Sequence, residues 1–212
     1  MKMRIVFIVL IGFVGLSLAA SAADWPQWRG PQRDGVSQET GLLPEWPKEG
    51  PKPAWQVKDV GDGYSTPAVV GDRIYLLGNK GMDDEFVEAL DAKDGSQVWS
   101  KHIGKVGPNQ RVNYPGARST PTVDGDVLYA LGSDGDLACL TTAGEVRWAK
   151  NLRGDFGGNP GYWAYAESPL IDGDVLVCTP GGKTATIVAL NKKTGDLIWK
   201  CPVPGGDDAA YA

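Results

Sequence analysis

Val123-Asp124-Gly125-Asp126-Val127-Leu128-Tyr129 (VDGDVLY, 123–129) decides the fold, because similar stretches lie on both sides of it: VVGDRIY at 69–75 and IDGDVLV at 171–177. Aspartates set around a glycine fit either a calcium loop or a tight turn. A calcium loop of the EF-hand kind needs oxygen ligands at alternate positions over about a dozen residues and a bidentate glutamate at its end. After Asp126 the chain instead runs into Val127-Leu128-Tyr129-Ala130-Leu131, an apolar run without a carboxylate. The turn reading follows. Gly71-Asp72, Gly125-Asp126 and Gly173-Asp174 each suit a two-residue hairpin, where residues tolerant of positive φ are needed.

Outward from these turns the chain repeats, and a fixed period is read before any single element. Leu90, Leu140 and Leu190 stand 50 residues apart, and Trp99, Trp148 and Trp199 follow at spacings of 49 and 51. Each repeat opens on a Ser/Thr-Pro step (65–67, 119–121, 168–169) and carries Gly95, Gly144 or Gly195 just ahead of its tryptophan. Short runs rich in Val, Ile, Leu and Tyr alternate with Gly, Asp and Lys, and none sustains a 3.6-residue period, so they read as strands. The runs fall near 66–70, 73–78, 85–91 and 96–101, then 120–124, 127–132, 136–141 and 145–149, then 168–172, 175–179, 185–190 and 196–200. Four short antiparallel strands in about 50 residues is the size of one propeller blade. The expected class is all-β: a partial β-propeller of three complete four-stranded blades, about 64–103, 117–152 and 166–203.

The unit S-x-P-x-V-x-x-G-D-x-[IV]-[LY], followed by [AV]-L-[DN]-x-x-[TD]-G-x-x-[IV]-W, resembles the PQQ-like (pyrroloquinoline quinone) propeller repeat over roughly 54–203. The resemblance implies that Trp99, Trp148 and Trp199, with Trp55 in the same role, pack between neighbouring blades, and that Gly95, Gly144 and Gly195 make the last hairpins. A large aromatic at one fixed position supplies much of the contact that flat blades need. Ala54-Trp55-Gln56-Val57 looks like a final strand with no three before it. Residues 54–60 are therefore expected to close a ring of seven or eight blades, of which this chain is the N-terminal part; closure removes exposed edges. The same repeat serves quinoprotein alcohol dehydrogenases and the propeller lipoprotein of the outer-membrane assembly machinery, so it speaks for fold more than for activity.

Lys2 and Arg4 precede the apolar run 5–19 and the small residues Ala20-Ser21-Ala22, the layout of a secretory signal peptide (1–22). Its removal takes the net charge from -5 to -7, since two cations leave. An acidic exported chain, periplasmic or extracellular, is a poor match for nucleic acid or anionic lipid. Cys139, Cys178 and Cys201 then occupy a compartment where disulfides persist, and either Cys178 pairs with Cys201 or all three are small buried hydrophobes. The Pro/Trp-rich lead-in, 23–53, reads as an ordered coil clamped on the propeller surface, without chemistry.

Function is sought in two long loops between blades, because binding residues concentrate on loops held by a rigid scaffold. The first, 104–118, carries Arg111, Asn113, Tyr114 and Arg118; the second, 153–167, carries Tyr162, Trp163, Tyr165 and Glu167. Aligning the Ser/Thr-Pro steps sets Ser65, Ser119 and Glu167 at one position, with Tyr64, Arg118 and Ala166 one residue earlier. Glu167 facing Arg118 fits either a ligand anchor or an ion pair bracing the channel mouth. His102, the one histidine, has no nucleophile motif beside it and reads as a surface residue. The quinoprotein reading lacks a Cys-Cys step and any matching calcium cluster. The expected function is an exported, non-catalytic scaffold that binds a protein or envelope ligand through these loops, without metal or cofactor. The alternative is a dehydrogenase-like quinoprotein using PQQ and calcium, completed by further C-terminal blades.

Overall fold

The structure is a computed structural model that describes residues 23–107 and 114–211. The expected signal peptide, Arg111 and Asn113 lie outside the described residues. Within them each glycine–aspartate pair is a hairpin turn. Val70 faces Arg73, Asp124 faces Val127 and Asp172 faces Val175, which leaves two residues between. Gly71, Gly125 and Gly173 hold φ of 57°, 63° and 57°, a region that opens to residues lacking Cβ. The aspartate carbonyls have a second role: those of Asp72, Asp126 and Asp174 accept from the N–H of Ala92, Thr142 and Lys192 at 2.9, 2.9 and 3.1 Å. The first turn of each repeat is thereby tied to the turn before its last strand. The carboxylates of the three pair with Arg73, Arg147 and Lys193.

Three four-stranded antiparallel sheets result, each in sequential order. The first holds β1 (Ala68–Val70), β2 (Arg73–Lys80), β3 (Asp84–Asp91) and β4 (Gln97–Gly104). The second holds β5 (Thr122–Asp124), β6 (Val127–Leu131), β7 (Asp136–Thr141) and β8 (Val146–Asn151). One helical turn, α1 (Leu152–Phe156), departs from the all-β expectation; Asn151 caps it by accepting from Gly154 N at 2.8 Å. The third sheet holds β9 (Leu170–Asp172), β10 (Val175–Cys178), β11 (Ile187–Asn191) and β12 (Leu197–Cys201). In every sheet the last pairing slips by one residue, at Ala89/Leu90, Cys139/Leu140 and Ala189/Leu190. A bulge at one fixed place adds the same twist to each tryptophan strand.

Period-two alternation makes the middle sheet a filling between the other two. Leu128, Ala130, Ala138 and Leu140 meet Tyr75, Leu77 and Val87 of the first sheet. Tyr129, Leu131, Leu137 and Cys139 meet Leu176, Val188 and Leu190 of the third. The tryptophans roof these interfaces. The Trp99 ring lies over Gly144 and its Nε1 donates to Thr142 O at 3.0 Å; Trp148 does the same over Gly195, to Lys192 O at 3.0 Å. Trp55 lies over Gly95 and donates to Ala92 O at 3.1 Å. Trp199, with Leu197 and Ile198, faces outward, about half exposed.

Residues 54–60 join none of the three sheets, and Trp55 and Val57 press on the turn at Gly95, the place Trp99 takes at Gly144. The expected closing ladder concerns a last blade, not these three. The cysteine alternatives are decided. Cys178 and Cys201 are both free, and they flank β11, facing Val188 and Ile187. Two strand spacings put them roughly 10 Å apart, beyond the ~7 Å a disulfide spans.

The start of the lead-in lies against the inner strands. The first strands converge, β5 touching both β1 and β9. Trp25 exchanges backbone hydrogen bonds with Val69 at 2.7 and 2.9 Å, and Val123 N donates to Pro26 O at 2.8 Å. Arg33 then donates its guanidinium to Ile171 O. This strap therefore covers the edges of the innermost strands of all three sheets, groups that must otherwise find water or another chain.

Candidate functional site

At the end of the converging strands the blades are stapled by hydroxyls. Ser65 Oγ donates to Ser119 O, and Ser119 Oγ donates to Glu167 O, each at 2.7 Å. That is the physical reason the repeat keeps serine there. Glu167 ends the series. Its carboxylate turns to its own blade, where Oε1 accepts from Thr179 N and Oε2 from Thr179 Oγ1, both at 2.6 Å. Burial pushes this carboxyl up to about 7, with the Thr179 hydrogen bonds pulling the other way. The expected facing of Glu167 and Arg118 is thus corrected: both carboxylate oxygens are engaged by Thr179.

The residues one position earlier open a cavity of about 470 Å³. Tyr64, Arg118 and Ala166 line it, with Trp28, Tyr114, Trp163, Ser168 and Tyr211. The Arg118 guanidinium lies 4.7 Å from the Tyr64 ring centroid and 5.3 Å from that of Trp163. Such stacking holds a cation without neutralising it. Arg118 also donates to Tyr114 O, while its buried Nε has no hydrogen-bond partner among the described residues.

Trp163 is presented by a turn in which Ala164 N donates to Gly161 O at 3.0 Å. Tyr162 and Tyr114 meet its ring edge-on at 5.1 and 6.0 Å, and the Trp163 backbone N–H donates to Tyr211 Oη at 2.9 Å. Ala164 has φ 67°, a conformation unfavourable for a residue with Cβ. That twist separates neighbours: Trp163 faces the cavity, whereas Tyr165 is fully buried and donates its hydroxyl to Pro180 O at 2.9 Å. Tyr165 is accordingly a core residue rather than a ligand-binding one.

Sequence reasoning thus found Arg118, Tyr114 and Trp163, with Tyr162 as a flanking ring. It missed Trp28, Ser168 and Tyr211 as lining residues. Tyr64 had a signal, since it aligns with Arg118. His102 is exposed and bonded to Asp84 at 2.8 Å, away from the cavity. A second buried carboxylate was also missed: Glu85 reaches from the first sheet to the second, accepting from Ser133 N and Oγ at 2.9 and 2.8 Å. Burial raises it to about 7, and Asp136 and Asp134 nearby add to the rise. No group of three or more His, Cys, Asp or Glu among the described residues is placed to hold a metal.

Fold and repeat together define a PQQ-like β-propeller chain whose blades are roofed by tryptophan. The family model described as outer membrane protein assembly factor BamB matches residues 35–206, and the chain belongs to that family. Outer membrane protein assembly factor BamB of Burkholderia pseudomallei (strain K96243) is 32% identical over 176 residues, covering 68% of this chain. The chain spans 43% of that relative's length. Among solved structures, quinohemoprotein alcohol dehydrogenase from Comamonas testosteroni superposes with a TM-score of 0.61 at 19% identity, over 86% of this chain and 28% of its own. That likeness shows the shared propeller fold. The PQQ-like resemblance and the propeller class read from the repeat are both borne out. No helix among the described residues is long and apolar enough to cross a membrane.

Proposed function

We propose that this chain is a non-catalytic propeller scaffold, exported by its N-terminal signal peptide to the periplasm, that docks a protein partner at the cavity around Arg118. The carrying observation is convergence: the strap, both inter-blade loops and the 211 region bring rings and one cation to a single cavity. Rigidly held aromatic and arginine side chains are the residues on which protein interfaces most depend. Membership of the assembly-factor family supports a partner in the outer-membrane assembly machinery.

A quinone-dependent dehydrogenase draws support from the fold likeness alone. Its calcium would need six to eight oxygen ligands, rich in carboxylates. The cavity lining supplies no carboxylate, so the residues present do not fit the ion and no reaction step is derived.

The test is a photo-crosslinking residue in place of Tyr162, expressed in the native envelope. One crosslinked protein of the assembly machinery is expected, absent when the probe replaces the exposed Lys93. Equal crosslinking from both positions overturns the docking reading, as does dye-coupled alcohol oxidation by the chain supplied with PQQ and calcium.

A further inference from the structure

Resting on the docking reading, the geometry points to a ligand class for the cavity: an extended peptide segment that carries a carboxylate beside an aromatic side chain. Among the described residues Arg118 supplies the only charge in the lining, within a chain of net charge -5. The acidic surface repels an anion at long range, so the selection is local: the guanidinium inside the cavity pairs with a carboxylate that has already entered it.

The donor arrangement narrows this further. Arg118 Nε is buried, so a ligand meets the guanidinium through its terminal nitrogens, of which Nη2 also donates to Tyr114 O. The guanidinium is flanked by Tyr64 and Trp163, so an acceptor approaches through the space the rings leave free. A flat carboxylate matches a planar guanidinium in that setting. The remaining walls are rings: Trp28, Tyr114 and Tyr211 offer faces and edges to an aromatic side chain. A volume of about 470 Å³ lies within the range that bound ligands occupy.

The experiment titrates the full chain with acetyl-Phe-Glu-Phe-amide, acetyl-Phe-Gln-Phe-amide and inorganic phosphate, read by calorimetry and by tryptophan fluorescence. The glutamate peptide is expected to bind at least tenfold tighter than the glutamine peptide, and phosphate more weakly than either. Arg118→Met is expected to bring the two peptides to equal affinity, and Arg118→Lys to restore only part of the difference. Trp163→Leu weakens both peptides alike. Equal affinities on the unaltered chain overturn the inference, and so does phosphate binding as tight as the glutamate peptide. Should Arg118→Met fail to fold, the peptide pair on the unaltered chain still decides. A partner crosslinked at Tyr162 with no preference for glutamate removes this inference and retains the docking reading. A tenfold preference with no crosslinked partner does the reverse.

Discussion

Glu85 and Glu167 are carboxyls that folding moves out of water and onto a single hydroxyl–amide pair each, Ser133 and Thr179. Both rise from 4.5 to about 7. Between those values the folded chain keeps protons that the unfolded chain has released, so stability falls as pH rises through that window and levels off above it. Each group accounts for at most about 3 kcal/mol. Asp136, also raised by burial, adds to the same slope. Thermal melts followed by circular dichroism should give a higher Tm at pH 5 than at pH 8, and the double substitution Glu85→Gln, Glu167→Gln should remove most of the difference. A profile that climbs with pH contradicts this. Neither position was legible as a buried acid, because the pairing of Glu85 with Ser133 spans 48 residues and two blades. Glu167 could be seen to break the serine series, but not that Thr179 would claim it.

At the scale of the hairpin and the blade, two glycines with similar backbones carry different burdens. Gly173 has φ 57° and open space where a Cβ would project; Gly144 has φ 89° and the Trp99 ring 2.8 Å from that position. Alanine at 173 meets only the left-handed penalty, about 1–2 kcal/mol. Alanine at 144 meets that penalty and an overpacked interface, about 2–5 kcal/mol together. Urea denaturation of the two variants should rank them in that order, and equal losses refute the roofing role of Trp99. These elements were largely legible: the 50-residue period located the twelve strands among the described residues, because the period records a physical unit that must stack on its own kind. Trp55 carries the same docking signal and sits over Gly95 as Trp99 does over Gly144, while the backbone at 54–60 pairs with none of the three sheets. The helical turn at Leu152–Phe156 was too short to leave a period.

Across the whole molecule the strap is what joins the three sheets at their inner edges. Its hydrogen bond from Arg33 reaches β9, while Trp25 holds β1 independently. Arg33→Ala should therefore raise hydrogen exchange in 170–172 and leave 68–70 protected; loss of protection at both places would mean the strap acts as one unit. The cavity was half legible for a related reason. Loop residues rich in rings and arginine announce themselves, so Arg118, Tyr114 and Trp163 were found. Trp28 and Tyr211 reach the cavity only because segments far apart in the chain are brought together, which no local pattern records.

The strap has one more consequence, and it concerns time. Arg33 and Ile171 are 138 residues apart, so the clasp is synthesised first and can close only after the third sheet has formed. Contacts of such separation are slow to form because the loop between them must be closed first. Until then the β9 edge stays bare, the state in which strands recruit neighbours, whereas Trp25 and Pro26 can cover β1 and β5 earlier. A chain whose third sheet has formed before Arg33 clasps it is thus expected to be sticky along β9 alone.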